Sequence, residues 1–197
     1  MDKEIISIDH KVILSFIKPD TSVLDLGCGN GDLLALLAVK KNCRVQGIEI
    51  DEQAIYNCVA KGLNVLHGDI DSGLSEYSDK SFDYVVLNQS LQQLKHFDTV
   101  LKDALRVGKK VIVGLPNFAY YKARLQLFFL GRAPVTPSLP YSWYDSPNVH
   151  FLSMTDFLRY CKVRDAKVEA KVFLGERGKV LALPNLFANS GIFLISK

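Results

Sequence analysis

Hydrophobic positions along the chain follow two alternating patterns, and these predict strands and helices in turn. Short continuous apolar runs predict buried strands at residues 22–26, 44–50, 64–67, 82–87 and 110–114. Apolar positions at helical spacing predict helices at residues 32–39, 52–61 and 99–106. Strands that alternate with helices form a parallel sheet that is covered on both faces.

Both ends of the chain extend this pattern. An N-terminal amphipathic helix that ends at Pro19 is predicted by the spacing of Ile5, Ile8, Val12, Ile13, Phe16 and Ile17. Ser153 is placed to cap a helix that runs to about Cys161. Residues 167–173 and 191–196 are predicted strands with no helix between them, so we expect a C-terminal antiparallel hairpin at the sheet edge. The pattern predicts one α/β, doubly wound, Rossmann-like domain over residues 1–197.

The segment at residues 116–151 departs from this alternation. It holds nine of the twenty aromatic residues and five of the seven prolines. One helix is predicted at 120–130, followed by an irregular loop. Long ordered loops of this kind are usually functional. We interpret the segment as a lid over a small molecule or as a protein-docking surface, although its rings could instead belong to the core.

A glycine-rich turn follows the first predicted strand. Gly27, Gly29 and Gly31 are spaced G-x-G-x-G, and Asp25 stands two residues before the first glycine. Glycines at such a turn let the backbone approach a ligand closely. The dinucleotide fingerprint would place its third glycine at position 32, which is Asp32 here. The spacing is instead that of turns that bind S-adenosylmethionine (SAM).

Acidic residues also follow the second and third predicted strands. Glu49 can accept hydrogen bonds from both ribose hydroxyls, while Asp69 can take an adenine amino group and Ile70 can pack on the ring. These carboxylates suit the sulfonium cation of SAM, or the nucleoside of S-adenosylhomocysteine. Binding of NAD or FAD, or a tight turn beside solvated acids, are the alternatives. The predicted cofactor-binding residues are Asp25, Gly27, Cys28, Gly29, Asn30, Gly31, Glu49, Ile50, Asp69, Ile70 and Asn88.

Composition narrows the remaining function classes. The net charge is only +3 and no run of five basic residues occurs, so we expect neither nucleic-acid nor membrane binding. Cys28, Cys43, Cys58 and Cys161 have no C-x-x-C spacing, and we interpret them as buried thiols of a reducing compartment rather than metal ligands. The early apolar run is too short for a signal peptide. We therefore expect a cytoplasmic protein.

The motif Val23-Leu-Asp-Leu-Gly-Cys-Gly-Asn-Gly31 followed by Gly47-Ile-Glu-Ile-Asp51 resembles class I SAM-dependent methyltransferases. The whole chain is similar to the methionine biosynthesis protein MetW family. That similarity is carried by Gly68-Asp-Ile-Asp71, Ser81-Phe-Asp-Tyr84, Gln89-Ser-Leu-Gln92, Leu105-Arg-Val-Gly108, Pro116-Asn-Phe118, Arg124-Leu-Gln-Leu127, Gly131-Arg132, Leu139-Pro-Tyr-Ser-Trp-Tyr-Asp145 and Pro147-Asn-Val-His150.

The resemblance implies a class I methyltransferase fold and a role in methionine biosynthesis beside homoserine O-acyltransferase. In this family the MetW-like protein is needed for full acyltransferase function, often with no identified methyl acceptor. An accessory protein that binds SAM is thus one hypothesis, and a methyltransferase that acts on an unidentified small molecule is the other. The oligomeric state stays open.

Evidence for a catalytic group is thin. Residues 88–93 follow the fourth predicted strand, and their Asn and Gln side chains cannot serve as bases near neutral pH. We leave the catalytic residue unassigned. An acceptor pocket beside the sulfonium would be lined by Asn88, Gln89, Tyr144 and His150. The candidates for contact with an acceptor or a partner protein are Gln89, Arg124, Arg132, Trp143, Tyr144 and His150.

Overall fold

The computed structural model describes residues 6–197, so Ile5 of the predicted first helix lies outside the described residues. The helices are α1 (Ile8–Phe16), α2 (Asp32–Lys41), α3 (Glu52–Ala60), α4 (Phe97–Val107), α5 (Tyr121–Leu130), α6 (Met154–Val163) and α7 (Pro184–Phe187). The strands are β1 (Ser22–Leu26), β2 (Arg44–Glu49), β3 (Val65–His67), β4 (Phe82–Asn88), β5 (Gly108–Pro116), β6 (Lys167–Gly175), β7 (Gly178–Lys179) and β8 (Ser190–Ser196).

All eight strands form one sheet in the order β3-β2-β1-β4-β5-β8-β6-β7. Strands β1 to β5 are parallel to one another, and β8 runs antiparallel to both β5 and β6. The predicted mostly parallel sheet and the antiparallel pairing of the two C-terminal strands are confirmed. Strand β8 lies inside the sheet, however, and the hairpin at the edge joins β6 to β7. The interior position has a physical reason, since β8 is buried along nearly its whole length and needs cover on both faces.

Side chains of the central strands alternate between two hydrophobic cores, one on each face of the sheet. Leu24 and Val85 pack with helices α4 and α6 on one face. Val23 and Val86 pack with helices α1 and α2 on the other. Helices therefore cover both faces, as the doubly wound prediction requires. Because the parallel strands end at one edge, the turns after β1, β2, β3 and β4 converge there.

Polar side chains cap the starts of α1, α3 and α6. Ser7 caps α1, with its side chain accepting a hydrogen bond from the His10 amide at 3.2 Å. Ser153 and Asp156 form a reciprocal capping box at the start of α6. The second strand ends one residue earlier than predicted, at Glu49, because Asp51 already caps α3.

The segment at residues 116–151 consists of α5 and an irregular stretch. It is fixed at its start by Asn117, a fully buried residue whose Nδ2 donates to the carbonyl of Ala188 at 2.7 Å. Tyr120 is buried, but Phe128 is 82% exposed and Trp143 is 78% exposed. Most rings of the segment therefore lie outside the core.

Candidate functional site

A bend of three glycines carries the chain from β1 into α2. Gly27, Gly29 and Gly31 have φ angles of +76°, +53° and +75°, in the left-handed region that favours glycine. A Cβ added at Gly31 would lie 2.6 Å from Leu63 Cδ1 and 2.8 Å from Cys58 Sγ. The bend thus needs glycine both for its backbone angles and for the space beside it.

The carboxylate of Glu49 ties the tip of β2 to this bend. One oxygen accepts a hydrogen bond from the Gly29 amide at 2.7 Å. The other accepts from the amides of Ile50 and Asp51 at 2.8 and 3.0 Å. A carboxylate offers about four lone-pair sites, so Glu49 keeps capacity for a ligand hydroxyl.

The turn after β3 supplies the third acidic strand tip. Asp69 caps a short 3-10 turn, Ile70–Ser72, with its Oδ1 accepting from the Asp71 amide at 2.9 Å. The Asp71 carboxylate accepts from the amides of Lys95 and His96 at 3.0 and 2.8 Å. These contacts hold the turn after β3 against the loop that leads into α4.

Two adjoining cavities open at these strand tips. The first, which we call the Glu49 cavity, has a volume of about 250 Å³, and its walls include Gly27, Glu49, Ile50, Asp69, Ile70, Asn88 and Gln89. The second, the Asp25 cavity, has a volume of about 180 Å³, and its walls include Asp25, Gly27, Cys28, Gly29, Asn30 and Asn88. Gly27 and Asn88 belong to both. The structure thus brings together ten of the eleven predicted cofactor residues, while Gly31 shapes the bend without lining either cavity.

Asp25 is the most deeply buried acid of the site, with 3% of its surface exposed. Burial, and secondarily the negative charge of Glu49, raise the pKa of its carboxyl to about 7. A cation placed beside Asp25 would stabilise the charged carboxylate and lower this pKa. The group therefore favours a positively charged ligand.

The chemistry of both cavities fits a cationic nucleoside. Their walls carry the carboxyl groups of Asp25, Asp32, Glu49, Asp69 and Asp71, and no Lys or Arg. Such walls offer nothing to a phosphate group. Asn88 adds a buried side-chain oxygen, Oδ1, that has no hydrogen-bond partner in the part of the chain that the structure describes. A ligand donor is one means of satisfying such an atom.

Sequence reasoning missed several residues of these walls: His10, Asp71, Ser90, Gln93 and Leu94. His10 comes from α1, which no strand-tip pattern places at the site. Ser90 donates from Oγ to the carbonyl of Leu26 at 2.9 Å and packs beside Gly27. The repeated acid of Gly68-Asp-Ile-Asp71 was a usable signal for Asp71, and the place of Ser90 and Gln93 directly after the fourth strand was one for them, whereas His10 and Leu94 have none.

The candidate acceptor or partner residues are not all together. Gln89, with φ of +60°, lines the Glu49 cavity and also a neighbouring cavity of about 580 Å³. Tyr144 is 69% exposed and stacks edge-to-face on Trp143, with ring centroids 5.6 Å apart. His150 packs against Phe97, with ring centroids 5.7 Å apart. Tyr144 and His150 line neither cofactor cavity, so the pocket of Asn88, Gln89, Tyr144 and His150 is not assembled.

Both candidate arginines lie at the surface of the aromatic segment. Arg124 is exposed and donates from Nε to the carbonyl of Ala119 at 2.6 Å. Arg132 lines an apolar cavity of about 440 Å³ together with Leu127, Trp143 and Phe151. Arginine beside exposed aromatic rings is typical of protein interfaces.

The remaining candidate chemistry gives no further site. All four cysteines are buried and free, and burial is the main reason that the pKa of Cys161 rises to about 11. Within residues 6–197 no group of three or more His, Cys, Asp and Glu side chains could hold a metal ion. Across the same range, no helix has both the length and the apolar character needed to cross a membrane.

Solved structures share this architecture. A SAM-dependent methyltransferase from Thermotoga maritima superposes with a TM-score of 0.68 and 16% identity, over 96% of this chain and 87% of that one. A second SAM-dependent methyltransferase, from Archaeoglobus fulgidus, gives a TM-score of 0.65 and 16% identity, over 96% of this chain and 91% of that one. The fold is therefore that of class I SAM-dependent methyltransferases.

Sequence relatives are more specific. A protein of Rhodopirellula baltica named "Bifunctional methionine biosynthesis protein MetXA/MetW" is 32% identical over 95% of this chain and 32% of its own length. A ribosomal protein L11 methyltransferase of Aquifex aeolicus is 34% identical over 60% of this chain and 46% of its own length. The chain thus spans a third to a half of these relatives. The profile described as "Methionine biosynthesis protein MetW" matches residues 7–195. The chain belongs to the MetW family.

Proposed function

We propose that this chain is a SAM-binding accessory protein of methionine biosynthesis that associates with homoserine O-acyltransferase and regulates it. The observation that carries the proposal is the convergence of Asp25, Glu49 and Asp69 on two adjoining cavities at a glycine bend. We further propose that residues 1–197 act as one cofactor-binding domain. A cytoplasmic location stays a prediction from the cysteines.

Shape and charge support SAM, or S-adenosylhomocysteine, as the ligand. In the proposed arrangement the nucleoside occupies the Glu49 cavity, where Glu49 accepts from ribose hydroxyls and Ile70 packs on the adenine. The methionine part and the sulfonium then lie toward the Asp25 cavity. A bound SAM supplies a positively charged, methyl-bearing sulfur. The residues of this chain bind and orient that ligand.

The proposed partner is supported by the name of one relative and by surface chemistry. The Rhodopirellula baltica relative carries MetXA and MetW in one polypeptide, which keeps the two units close together. We take MetXA to be the homoserine O-acyltransferase that the family resemblance implies as a partner. On this chain, Phe128, Phe129 and Trp143 expose 82%, 71% and 78% of their surfaces. Exposed aromatic rings of this kind are usual anchors of protein interfaces.

The lining of the cofactor cavities argues for binding over catalysis. Beside Asn88 the turn after β4 offers the amides of Gln89 and Gln93, which orient ligands but do not accept protons near neutral pH. A base is needed only when the acceptor must first lose a proton. Methyl transfer to an unidentified small molecule is the second candidate function. It is favoured by a cavity of about 580 Å³ that shares Gln89 and Gln93 with the Glu49 cavity.

Two measurements test the proposal. Titration calorimetry of the chain with SAM and with S-adenosylhomocysteine is expected to give saturable binding. Size-exclusion chromatography with the acyltransferase from the same organism is expected to give a complex whose acyl-transfer rate depends on SAM. An absence of co-elution together with unchanged acyltransferase activity would refute the accessory role. Turnover of labelled SAM with a metabolite extract would favour the methyltransferase instead.

A further inference from the structure

A further cavity lies next to the Glu49 cavity, and the proposed function assigns neither SAM nor the acyltransferase to it. Its volume is about 580 Å³. Its walls come from the start of α1, the turn Leu91–Gln93, the loop around Ser138 and the chain beside Leu174. Gln89 and Gln93 separate it from the Glu49 cavity, because they line both.

The polar groups of this cavity call for a ligand that donates hydrogen bonds. Gln92 is 3% exposed, and its Nε2 donates to the carbonyl of Gln89 at 2.8 Å. The other side-chain atom, Oε1, is buried and accepts no hydrogen bond from the part of the chain that the structure describes. Ser138 Oγ, also in the cavity wall, is buried and unpartnered in the same sense. A buried acceptor without a donor is costly, and a ligand N–H or O–H would satisfy it.

The charged side chains of the wall favour a ligand with a positive charge. Asp9 and Glu176 line the cavity, and no Lys or Arg does. Glu176 is paired with Lys122 and accepts from the Tyr120 hydroxyl at 3.1 Å, so it is partly neutralised. The other polar groups of the wall are uncharged amides and hydroxyls, so its only charged side chains are acidic. Phosphate and carboxylate ligands find no counter-charge there, whereas an ammonium group supplies three donors and a positive charge.

The rest of the wall is apolar and suits a short carbon chain. Ile8, Pro137, Pro140 and Leu174 contribute it. Tyr141 adds an aromatic ring that also borders the apolar cavity beside Trp143. A ligand of this cavity thus needs a cationic, hydrogen-bond-donating end and a small apolar body.

We propose that this cavity binds a small primary amine, whose ammonium group meets the oxygens of Gln92 and Asp9 and whose carbon chain lies against Pro137, Pro140 and Leu174. The amine is a second ligand beside the cofactor. Its binding requires neither methyl transfer nor the acyltransferase. Failure of SAM to bind would therefore leave this inference standing.

Three probes with the same four-carbon chain separate charge from shape: putrescine, butanediol and succinate. Each is titrated into the full chain by ligand-observed NMR and calorimetry, with and without saturating SAM. We expect saturable binding of putrescine, about tenfold or more weaker binding of butanediol, and none of succinate, because charge-assisted hydrogen bonds are the stronger ones. Equal binding of succinate, or displacement of putrescine by SAM, would overturn the proposal.

Variants locate the binding. Gln92→Met keeps the length of the side chain but removes its oxygen, and Asp9→Asn removes one wall charge at a partly exposed position. Each is expected to weaken putrescine about tenfold while leaving SAM affinity unchanged. The matched control Glu49→Gln changes the Glu49 cavity, so it is expected to weaken SAM binding and to leave putrescine affinity unchanged. Thermal unfolding checks that each variant folds. If Gln92→Met does not fold, the putrescine affinity of Asp9→Asn tests the site by itself. Unchanged putrescine affinity in Asp9→Asn would refute the site.

Discussion

The backbone carbonyl of Gln92 accepts a hydrogen bond from the backbone amide of His150 at 3.0 Å, and a second from Val149 at 3.0 Å. Gln92 belongs to the turn Leu91–Gln93, and Gln93 lines the Glu49 cavity. His150 belongs to the aromatic segment. One short turn therefore joins the wall of the cofactor cavity to the surface proposed for docking.

This connection predicts that SAM and the acyltransferase influence each other's binding. If SAM biases the turn, saturating SAM is expected to change the dissociation constant of the complex about fivefold or more, and the acyltransferase must change SAM affinity by the same factor. Calorimetry in both orders measures the two factors. Identical constants with and without SAM would show that the turn carries no coupling.

The docking surface itself is tested by Trp143→Ala. Truncation of an interface anchor commonly costs about 2 kcal/mol or more, so acyltransferase binding is expected to weaken about thirtyfold. SAM affinity is expected to stay the same, since Trp143 lines neither cofactor cavity. The control is Tyr56→Ala on α3, a ring with 66% exposure outside the segment. Equal effects of the two substitutions would argue against docking at Trp143.

Glu49→Gln is expected to weaken SAM about tenfold to a hundredfold. The substitution removes the charge that holds the Gly29 amide at 2.7 Å and that would accept from ribose hydroxyls, and charged hydrogen bonds contribute about 1.5–3 kcal/mol each. Calorimetry gives the constant. Glu52→Gln, on the exposed first turn of α3, serves as the control and is expected to bind SAM as the unmodified chain does. Wild-type affinity in Glu49→Gln would exclude this cavity as the SAM site.

Asp25 is expected to make SAM binding depend on pH. Its pKa is raised to about 7, so the carboxyl is largely protonated at pH 6, and binding of a cation must release that proton. SAM affinity is therefore expected to rise from pH 6 to pH 8 and then level off, with a smaller rise for S-adenosylhomocysteine, whose sulfur is neutral. His10, in the same cavity, has its pKa lowered mainly by burial, against the opposing effect of Asp32 and Asp9. Asp25→Asn is expected to abolish this rise in SAM affinity. A rise that persists in the variant would show that Asp25 is not its cause.

The raised pKa of Asp25 also affects the stability of the unliganded chain, which is expected to fall as the pH rises. A carboxyl whose pKa is higher in the folded chain stabilises it below the unfolded value near 4, and this contribution is lost as the pH rises to about 7. At pH 8 the unliganded Asp25→Asn variant is thus expected to be more stable than the unmodified chain by about 1–3 kcal/mol. Denaturant unfolding at pH 5 and pH 8 measures the difference. A larger advantage of the variant at pH 5 would contradict the assignment.

The glycine bend is tested by a matched pair of substitutions. Gly31 and Gly62 have nearly equal φ angles of +75° and +72°, but only Gly31 has neighbours where a Cβ would stand. Gly62→Ala is expected to cost about 1 kcal/mol from backbone strain, and Gly31→Ala several kcal/mol more from contact with Leu63 and Cys58. Gly31→Ala is also expected to impair SAM binding. Equal melting temperatures for the two variants would mean that Leu63 and Cys58 move aside with no loss of stability.

Much of the sheet and of the cofactor site was predictable, because both depend on local patterns. Buried strands in a parallel sheet are continuous apolar runs, and the acids Asp25, Glu49 and Asp69 stand directly at or after three of them. Their meeting at one edge follows from parallel topology alone. The position of β8 between β5 and β6 was not predictable in this way, since an antiparallel pairing is compatible with an edge or an interior place.

Contacts between distant parts of the chain account for what the sequence did not indicate. His10 reaches the Asp25 cavity only because α1 packs on the sheet face that also carries α2. The cavity of about 580 Å³ joins residues from α1, the turn after β4, the aromatic segment and β6. No spacing rule links such positions. The exposure of Phe128 and Trp143 likewise depends on which face the segment presents once it has packed.

The interior place of β8 has a consequence for how the protein assembles during translation. β6 and β7 are synthesised before β8, yet they join the sheet only through it. Until residues 190–196 have left the ribosome, β5 keeps an open edge and the β6–β7 hairpin has no partner strand. The parallel half that carries the glycine bend can form earlier, so a nascent chain would possess its acidic strand tips before its sheet is complete.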